Sequence, residues 1–512
     1  MPINNNFSAI IVMGAQNIYV QVIDIEHSEI VENTRYDIDL GEDVFSERVV
    51  HSDTVNEIAI ALGVIQNLLD EYQVKNYQFY ATHAFHEAKN SEFVREQLEE
   101  RSHFDIKWIS QSQEALYRNL ATNTYLKDFD KITQKNTLLI DISSGSVELI
   151  AYKHGKFTSS RTLKLGPLRV YEVMRDIKET APNYAAILRD YVDSRLVDFI
   201  RLLPNIEAIE NVVLMGSSVS IIKPLISDLH KTLKISIDEF NDIFKMVKAS
   251  NNQLLTKKYD IDESDVPQLL PLMMLLRELL KNFSIKHMWV SDLKFIDGLS
   301  YDLIASSHGN GKEQILNRQI LISANNLAKQ YKVEPKHQQF VEHFGLQLFD
   351  DLQYLHGLGK RDRLLLEIAT IVDDVGSFIN NHNHYVHSEY IIKNSEILGL
   401  SESELRMVAA ISRYHSHKAT SSALKRLDNL SLDRRMRIMK LASILRIADA
   451  LDASRKQKIK SIDVDTDDPT QITINATADQ DISLEKNNFL RKGAFFESVF
   501  GVKPKLKGRL KL

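Results

Sequence analysis

A chain of 512 residues exceeds what one hydrophobic core serves, so about two to four domains are expected. Its 44% hydrophobic and 26% charged content fits an ordinary soluble protein, no apolar run nears the ~20 residues of a membrane span, and the opening MPINNNFSAI lacks the basic-then-apolar pattern of a signal peptide. The absence of cysteine excludes disulfides and thiolate metal sites and is compatible with a cytoplasmic location, while a net charge of −6 gives no general reason to expect nucleic acid or membrane partners.

Along the chain, AIIVMGAQNIYVQVIDI (9–25) reads as strand, small-residue turn and strand. Helical periodicity follows at 54–73, then the strand YQFYAT, one polar helix AFHEAKNSEFVREQLEER, the strand IKWIS and a helix opened by QSQEALYRNLAT. LLIDISSGSVELI (138–150) is a strand broken by Ser143, Ser144, Gly145 and Ser146 that resumes with Glu148. Four small residues are more than a plain hairpin needs and suit a backbone that approaches a ligand closely. VVLMGSSVSII (212–222) is a further strand, small loop and helix start, and helices alternating with short strands indicate α/β layers.

From 313 to 460 the pattern is almost wholly helical, with His, Asp and Glu scattered through it. IDVDT, QITINATA and the helix EKNNFLRKGAFFESVFG then form a small α+β unit. It ends in GVKPKLKGRLKL, whose Lys503, Lys505, Lys507, Arg509 and Lys511 suit a basic edge strand or a polyanion contact. One internal similarity stands out: Ile11-Val12-Met13-Gly14 aligns with Ile140-Asp141-Ile142-Ser143, each running through small or polar residues into a second strand. Two such hairpins imply a duplicated fold with a cleft between its halves.

ATHAFHEAKN (81–90), ISQSQEA (109–115), DISSGSVEL (141–149), LGPLRV (165–170) and LRIADALDASR (445–455) occur in an order and spacing that resembles the exopolyphosphatase/guanosine pentaphosphatase family over essentially the full length. The resemblance implies two actin-like α/β subdomains (1–130 and 131–309), a helical HD-like domain (310–460) and the small C-terminal α+β unit (461–512). It also implies a cytoplasmic homodimer that hydrolyses inorganic polyphosphate or guanosine pentaphosphate with Mg²⁺.

Carried over residue by residue, Asp141, Gly145, Ser146 and Glu148 match the family's second hairpin, while Ser143, Ser144 and Val147 depart from it. Glu114 matches the glutamate taken as catalytic, and Arg169 the arginine of LGPLRV. The first hairpin differs: Val12 stands for an Asp, Gly14-Ala15-Gln16-Asn17 for a Gly-Ser-Asn-Ser turn, and Tyr19 for an arginine. His86, Asp265 and Ile296 stand for three more arginines, and Gly216-Ser217 opens a loop where Gly-Thr is usual.

Hydrolysis of such a substrate needs backbone amides to cradle phosphate, a cation to offset charge, and a base to activate water. Gly14, Ser143, Ser144, Gly145, Ser146, Gly216, Ser217, Arg169 and His86 are the expected phosphate contacts. Asp141 and Glu148 are the expected Mg²⁺ ligands, and Glu114 the expected base. The lost carboxylate and arginines predict weakened activity, and a catalytically inactive sensor or scaffold binding polyphosphate, an alarmone or a protein is the other reading.

In the helical half, His343, Asp373-Asp374 and Asp449 fall where an HD phosphohydrolase holds metal, with His387 and His415 at accessory positions. Asp373 replaces a histidine there, so the set is read as a relic hydrogen-bond network, with one bound transition metal as the alternative.

Overall fold

The computed structural model describes residues 7–201, 209–227, 234–309, 313–416 and 427–510, so Lys511 lies outside the described residues. Two compact units emerge, Met1–Leu316 and Asn317–Leu512.

In the first unit, β1 (Phe7–Met13), β2 (Asn17–Asp24), β3 (Glu29–Asp37), β4 (Asn76–Ala81) and β5 (Ile106–Trp108) form a sheet in the order β3-β2-β1-β4-β5. β1 is antiparallel to β2 and parallel to β4. The strands β6 (Thr137–Ile142), β7 (Val147–Lys153), β8 (Lys156–Leu163), β9 (Asn211–Met215), β10 (Lys234–Ile235) and β11 (His287–Val290) form a second sheet, ordered β10-β11-β9-β6-β7-β8. There β6 is antiparallel to β7 and parallel to β9. The same plan twice, with a three-residue turn between β1 and β2 and a four-residue turn between β6 and β7, is the expected duplication.

Both central strands are apolar almost throughout because both of their faces are covered. Ala9, Ile11 and Met13 pack with Ile58, Leu62 and Ile65 of the helix Ser52–Glu71, while Ile10 and Val12 pack with Ile296 and Leu299 of the helix Phe295–Ser307. In β6 and β7 the alternation places Ile140, Ile142, Val147 and Leu149 in one core. Asp141 and Glu148, half a period away, therefore face the other side. The helix Gln111–Tyr125 covers that side, and Phe295–Ser307 packs closely against it; a Cβ at Gly298 would collide with the Tyr117 carbonyl.

The predicted polar helix at 84–101 is instead two helices, His83–His86 and Ser91–Ser102. The break is held by long-range partners: Asn90 Oδ1 accepts from the Val50 amide at 3.0 Å, and its Nδ2 donates to the Val50 carbonyl at 2.9 Å.

The second unit stacks the helices Pro335–Asp351, Lys360–Val372, His384–Lys393, Glu402–Tyr414 and Leu432–Ala450. A sheet β12 (Ile459–Asp465), β13 (Gln471–Ala478), β14 (Lys503–Leu510) follows, with the helix Ser483–Phe500 packed on Leu432–Ala450. The α+β tail thus shares a compact unit with the helices. β14 is an edge strand pairing parallel with β13, and Lys503, Lys505, Lys507 and Arg509 point to solvent in alternation with buried Pro504.

Candidate functional site

The tips of the two hairpins, the Gly216 turn and the start of Gln111–Tyr125 enclose a cleft of about 820 Å³, part of it open to solvent. Gly14, Ser143, Ser144, Gly145, Ser146, Arg169, Gly216, Ser217, Glu114 and Asp141 all line it, so most of the residues anticipated from sequence converge here.

The serine turn is built by local bonds. The Ser143 amide donates to the Ser146 carbonyl at 3.0 Å, and the Ser144 carbonyl accepts from the Leu168 and Arg169 amides at 3.1 Å each, docking the first turn of the helix Pro167–Thr180. Ser144 Oγ donates to Gln16 Oε1 at 2.5 Å and ties the two hairpin tips together. Among the described residues, the amides of Ser144, Gly145 and Ser146 have no protein acceptor. Gly216 has φ +103°, and a side chain there would strike Asp141 Oδ1 and the Ile142 carbonyl, so only glycine fits this turn.

Arg118 reorganises the expected chemistry. On Gln111–Tyr125, one turn after Glu114, it is buried and forms ion pairs with three carboxylates: Asp141, Glu148 at 2.7 Å and Glu114 at 3.3 Å. Glu148 also accepts from Ser160 Oγ at 2.5 Å, and Glu114 Oε1 accepts from the His83 amide at 3.2 Å. Burial pushes the Asp141 carboxyl up to about 7, against the pull of Arg118 and with added repulsion from Glu148 and Glu114. Burial likewise raises Glu114, partly offset by Arg118 and the His83 amide. Burial works against the charge on Arg118, but Asp141, Glu148 and Glu114 outweigh it and keep the guanidinium ionised.

The expected metal pair is therefore corrected. Magnesium takes near-octahedral oxygen ligands and keeps several waters. The space between Asp141 and Glu148 is instead bridged by a guanidinium, and Glu148 does not reach the cleft lining. In the first hairpin the matching register pair is Val12–Tyr19, equivalent to Asp141–Glu148, and it supplies no carboxylate. Asp141 and Glu148 do not fit a shared divalent ion.

The other cations are likewise engaged. Arg169 donates to both Glu87 oxygens at 2.9 Å and to the Gly145 carbonyl at 2.9 Å, and Lys164 reaches Glu87 at 3.1 Å. Burial would raise Glu87, but these two cations hold it below its ordinary range. Lys294 sits over the Tyr19 ring at 4.3 Å, its pKa lowered by burial. His86 is a second correction: it is not among the cleft-lining residues, and its ring packs edge-on against Trp108 at 5.0 Å, while His83 lines the cleft. Asp265 faces Arg35 at 3.8 Å, and Ile296 belongs to an apolar cluster.

In the second unit, His343 is exposed and lies outside the polar cluster. His337 takes its place, with Nδ1 2.8 Å from Asp452 Oδ2 and Nε2 3.2 Å from Asp449 Oδ1, and Lys492 pairs with Asp449. Asp373 and Asp374 are buried side by side; burial and the Asp374 charge raise Asp373, whereas Arg455, at 2.6 Å, leads the charges that overcome burial and keep Asp374 ionised. His384, rather than His387, faces buried His415, their Nε2 atoms 3.0 Å apart. His384 begins the helix His384–Lys393.

The model of the Ppx/GppA phosphatase family matches residues 20–307, and that of Ppx/GppA phosphatase domain III matches residues 321–493. Among solved structures, an exopolyphosphatase from Cytophaga hutchinsonii is similar at 16% identity over 59% of this chain and 98% of that one, with a TM-score of 0.51. An exopolyphosphatase-like protein is similar at 15% identity over 58% and 97%, with a TM-score of 0.52. A Ppx/GppA family member from Aquifex aeolicus gives 17% identity over 59% and 98%, with a TM-score of 0.47. With matches spanning both the duplicated α/β half and the helical half, the chain belongs to the Ppx/GppA phosphatase family and has its actin-like α/β fold.

Proposed function

We propose that the cleft of the first unit grips the terminal phosphates of a phosphoanhydride, inorganic polyphosphate or guanosine pentaphosphate, and hydrolyses the terminal anhydride slowly. The observation carrying this is that Glu114 opens into the same cleft as the serine turn and the Gly14 and Gly216 loops. The Ser144, Gly145 and Ser146 amides have the character of an anion-binding nest. Glu114 takes a proton from water as its oxygen bonds the terminal phosphorus. The P–O bond to the bridging oxygen breaks, and its electron pair stays on the shortened chain.

Slowness follows from the surroundings. Both Glu114 oxygens are engaged, by the His83 amide and by Arg118. The lining acids Glu87, Glu114 and Asp141 stand against Arg118, Arg169 and Lys294, which leaves little surplus positive charge for a polyanion. Arg118 supplies the counter-charge for the carboxylates, and magnesium arrives with the substrate phosphates rather than on an Asp141–Glu148 pair. The helical half is read as HD-like, with His337, Asp449 and Asp452 closed into internal pairs.

The same engagement of Glu114 favours a second reading, binding without turnover. Phosphate release from tripolyphosphate and guanosine pentaphosphate with Mg²⁺, by wild type and Glu114→Gln, separates the two. Release above the Glu114→Gln level supports hydrolysis. Thermal stabilisation by ligand without release supports binding alone, and neither effect removes both.

A further inference from the structure

We propose that Asp374, His384 and His415 in the second unit form a site for one first-row divalent transition-metal ion. His384 Nε2 lies 3.0 Å from His415 Nε2 and 3.4 Å from Asp374 Oδ1, and the ligand atoms of all three residues lie within 4.8 Å of one another.

Hydrogen bonding fixes which ring nitrogens are available. His415 Nδ1 contacts the Ser412 carbonyl, and His384 Nδ1 contacts the Asn381 carbonyl at 3.3 Å. A carbonyl only accepts, so each Nδ1 carries the proton and each neutral ring turns the lone pair of Nε2 toward the other. Two facing lone pairs at 3.0 Å repel unless a cation sits between them. A backbone carbonyl on the far nitrogen is also the usual support for a metal-bound histidine. Two nitrogens on a tetrahedral zinc at 2.0–2.1 Å are roughly 3.3 Å apart, and 3.0 and 3.4 Å bracket that spacing.

Asp374 is oriented for the same role. Arg455 holds its Oδ2 at 2.6 Å and leaves Oδ1 toward His384. Two imidazoles and one carboxylate suit zinc or ferrous iron rather than magnesium. Asp374 and His384 also border a cleft of about 730 Å³ whose lining includes Lys332, Glu334, Ser377 and Arg455. A remaining coordination position has access to water or a small ligand from that side. This centre shares no ligand with the His337–Asp449–Asp452 pairs and does not depend on the chemistry of the first unit.

The test uses the tag-free, full-length chain, stripped by chelator and then dialysed against limiting zinc. About one zinc per chain in wild type, lost in His384→Ala/His415→Ala, with a zinc-induced rise in Tm only for wild type, is the expected result. Cobalt(II) loaded into unaltered wild type checks the site without any variant: visible d–d bands displaced by one equivalent of zinc are expected. No retained zinc and no cobalt bands, or full zinc retention by a folded double variant, would overturn the assignment.

Discussion

Arg118 Nη2 stands 2.7 Å from Glu148 Oε2 while the same guanidinium pairs with Asp141 and Glu114, so one helical side chain joins three acids contributed by β6, β7 and its own helix. The duplicated hairpins bring those acids together, and the covering helix supplies their counter-charge from within the chain.

Removing that counter-charge leaves buried carboxylates unpaired. Arg118→Met should lose about 3–5 kcal/mol of stability at pH 7.5, read by urea unfolding. The deficit should shrink at pH 5, because the Asp141 carboxyl, pushed up to about 7, is protonated there. A deficit that grows on acidification would show that these groups are not held in the environment described.

Asp141 also gives a pH dependence with a definite sign. Its folded value of about 7 lies above the ordinary 3.8, so the folded chain binds a proton that the unfolded chain has already released. This contribution to stability is fully present below about pH 4 and is lost as pH rises through about 7. Wild type should therefore lose stability relative to Asp141→Asn between pH 4 and 8 in paired thermal or urea unfolding. A constant difference across that range contradicts the raised value.

Glu87 restrains Arg169, which lines the cleft beside the serine turn. Glu87→Gln should release it toward phosphate, tightening pyrophosphate binding by about three- to tenfold and making binding more sensitive to salt. Calorimetry at two ionic strengths measures both, and unchanged affinity would place Arg169 in a purely structural role.

Val12 occupies in the first hairpin the position of Asp141 in the second, but its side chain packs with Ile10, Ile296 and Leu299. Val12→Asp alone should therefore lower stability by about 1–3 kcal/mol without raising phosphate release. A large gain in release from this single change would mean that the cleft lacks only a carboxylate.

Much of this was legible in the sequence. Apolar runs flanking small residues located both hairpins, and their likeness revealed the duplication. Arg118 was missed because an arginine in a helix is ordinarily solvated, although Glu114, Arg118 and Thr122 recur every fourth residue on one buried stripe. Motif spacing alone points to His343 and passes over His337. Helical phase would have corrected it, since Val341, Phe344 and Leu348 continue back one turn to His337. Nothing local marks the break at 87–90, because Asn90 bonds a residue 40 positions away and Glu87 one 82 away.

The most direct test of the active-site account is phosphate release from tripolyphosphate in the presence of Mg²⁺ by wild type and Glu114→Gln. Release by wild type well above the Glu114→Gln level is the predicted result. Equal release by the two proteins would contradict the assignment of Glu114 as the base of a working cleft.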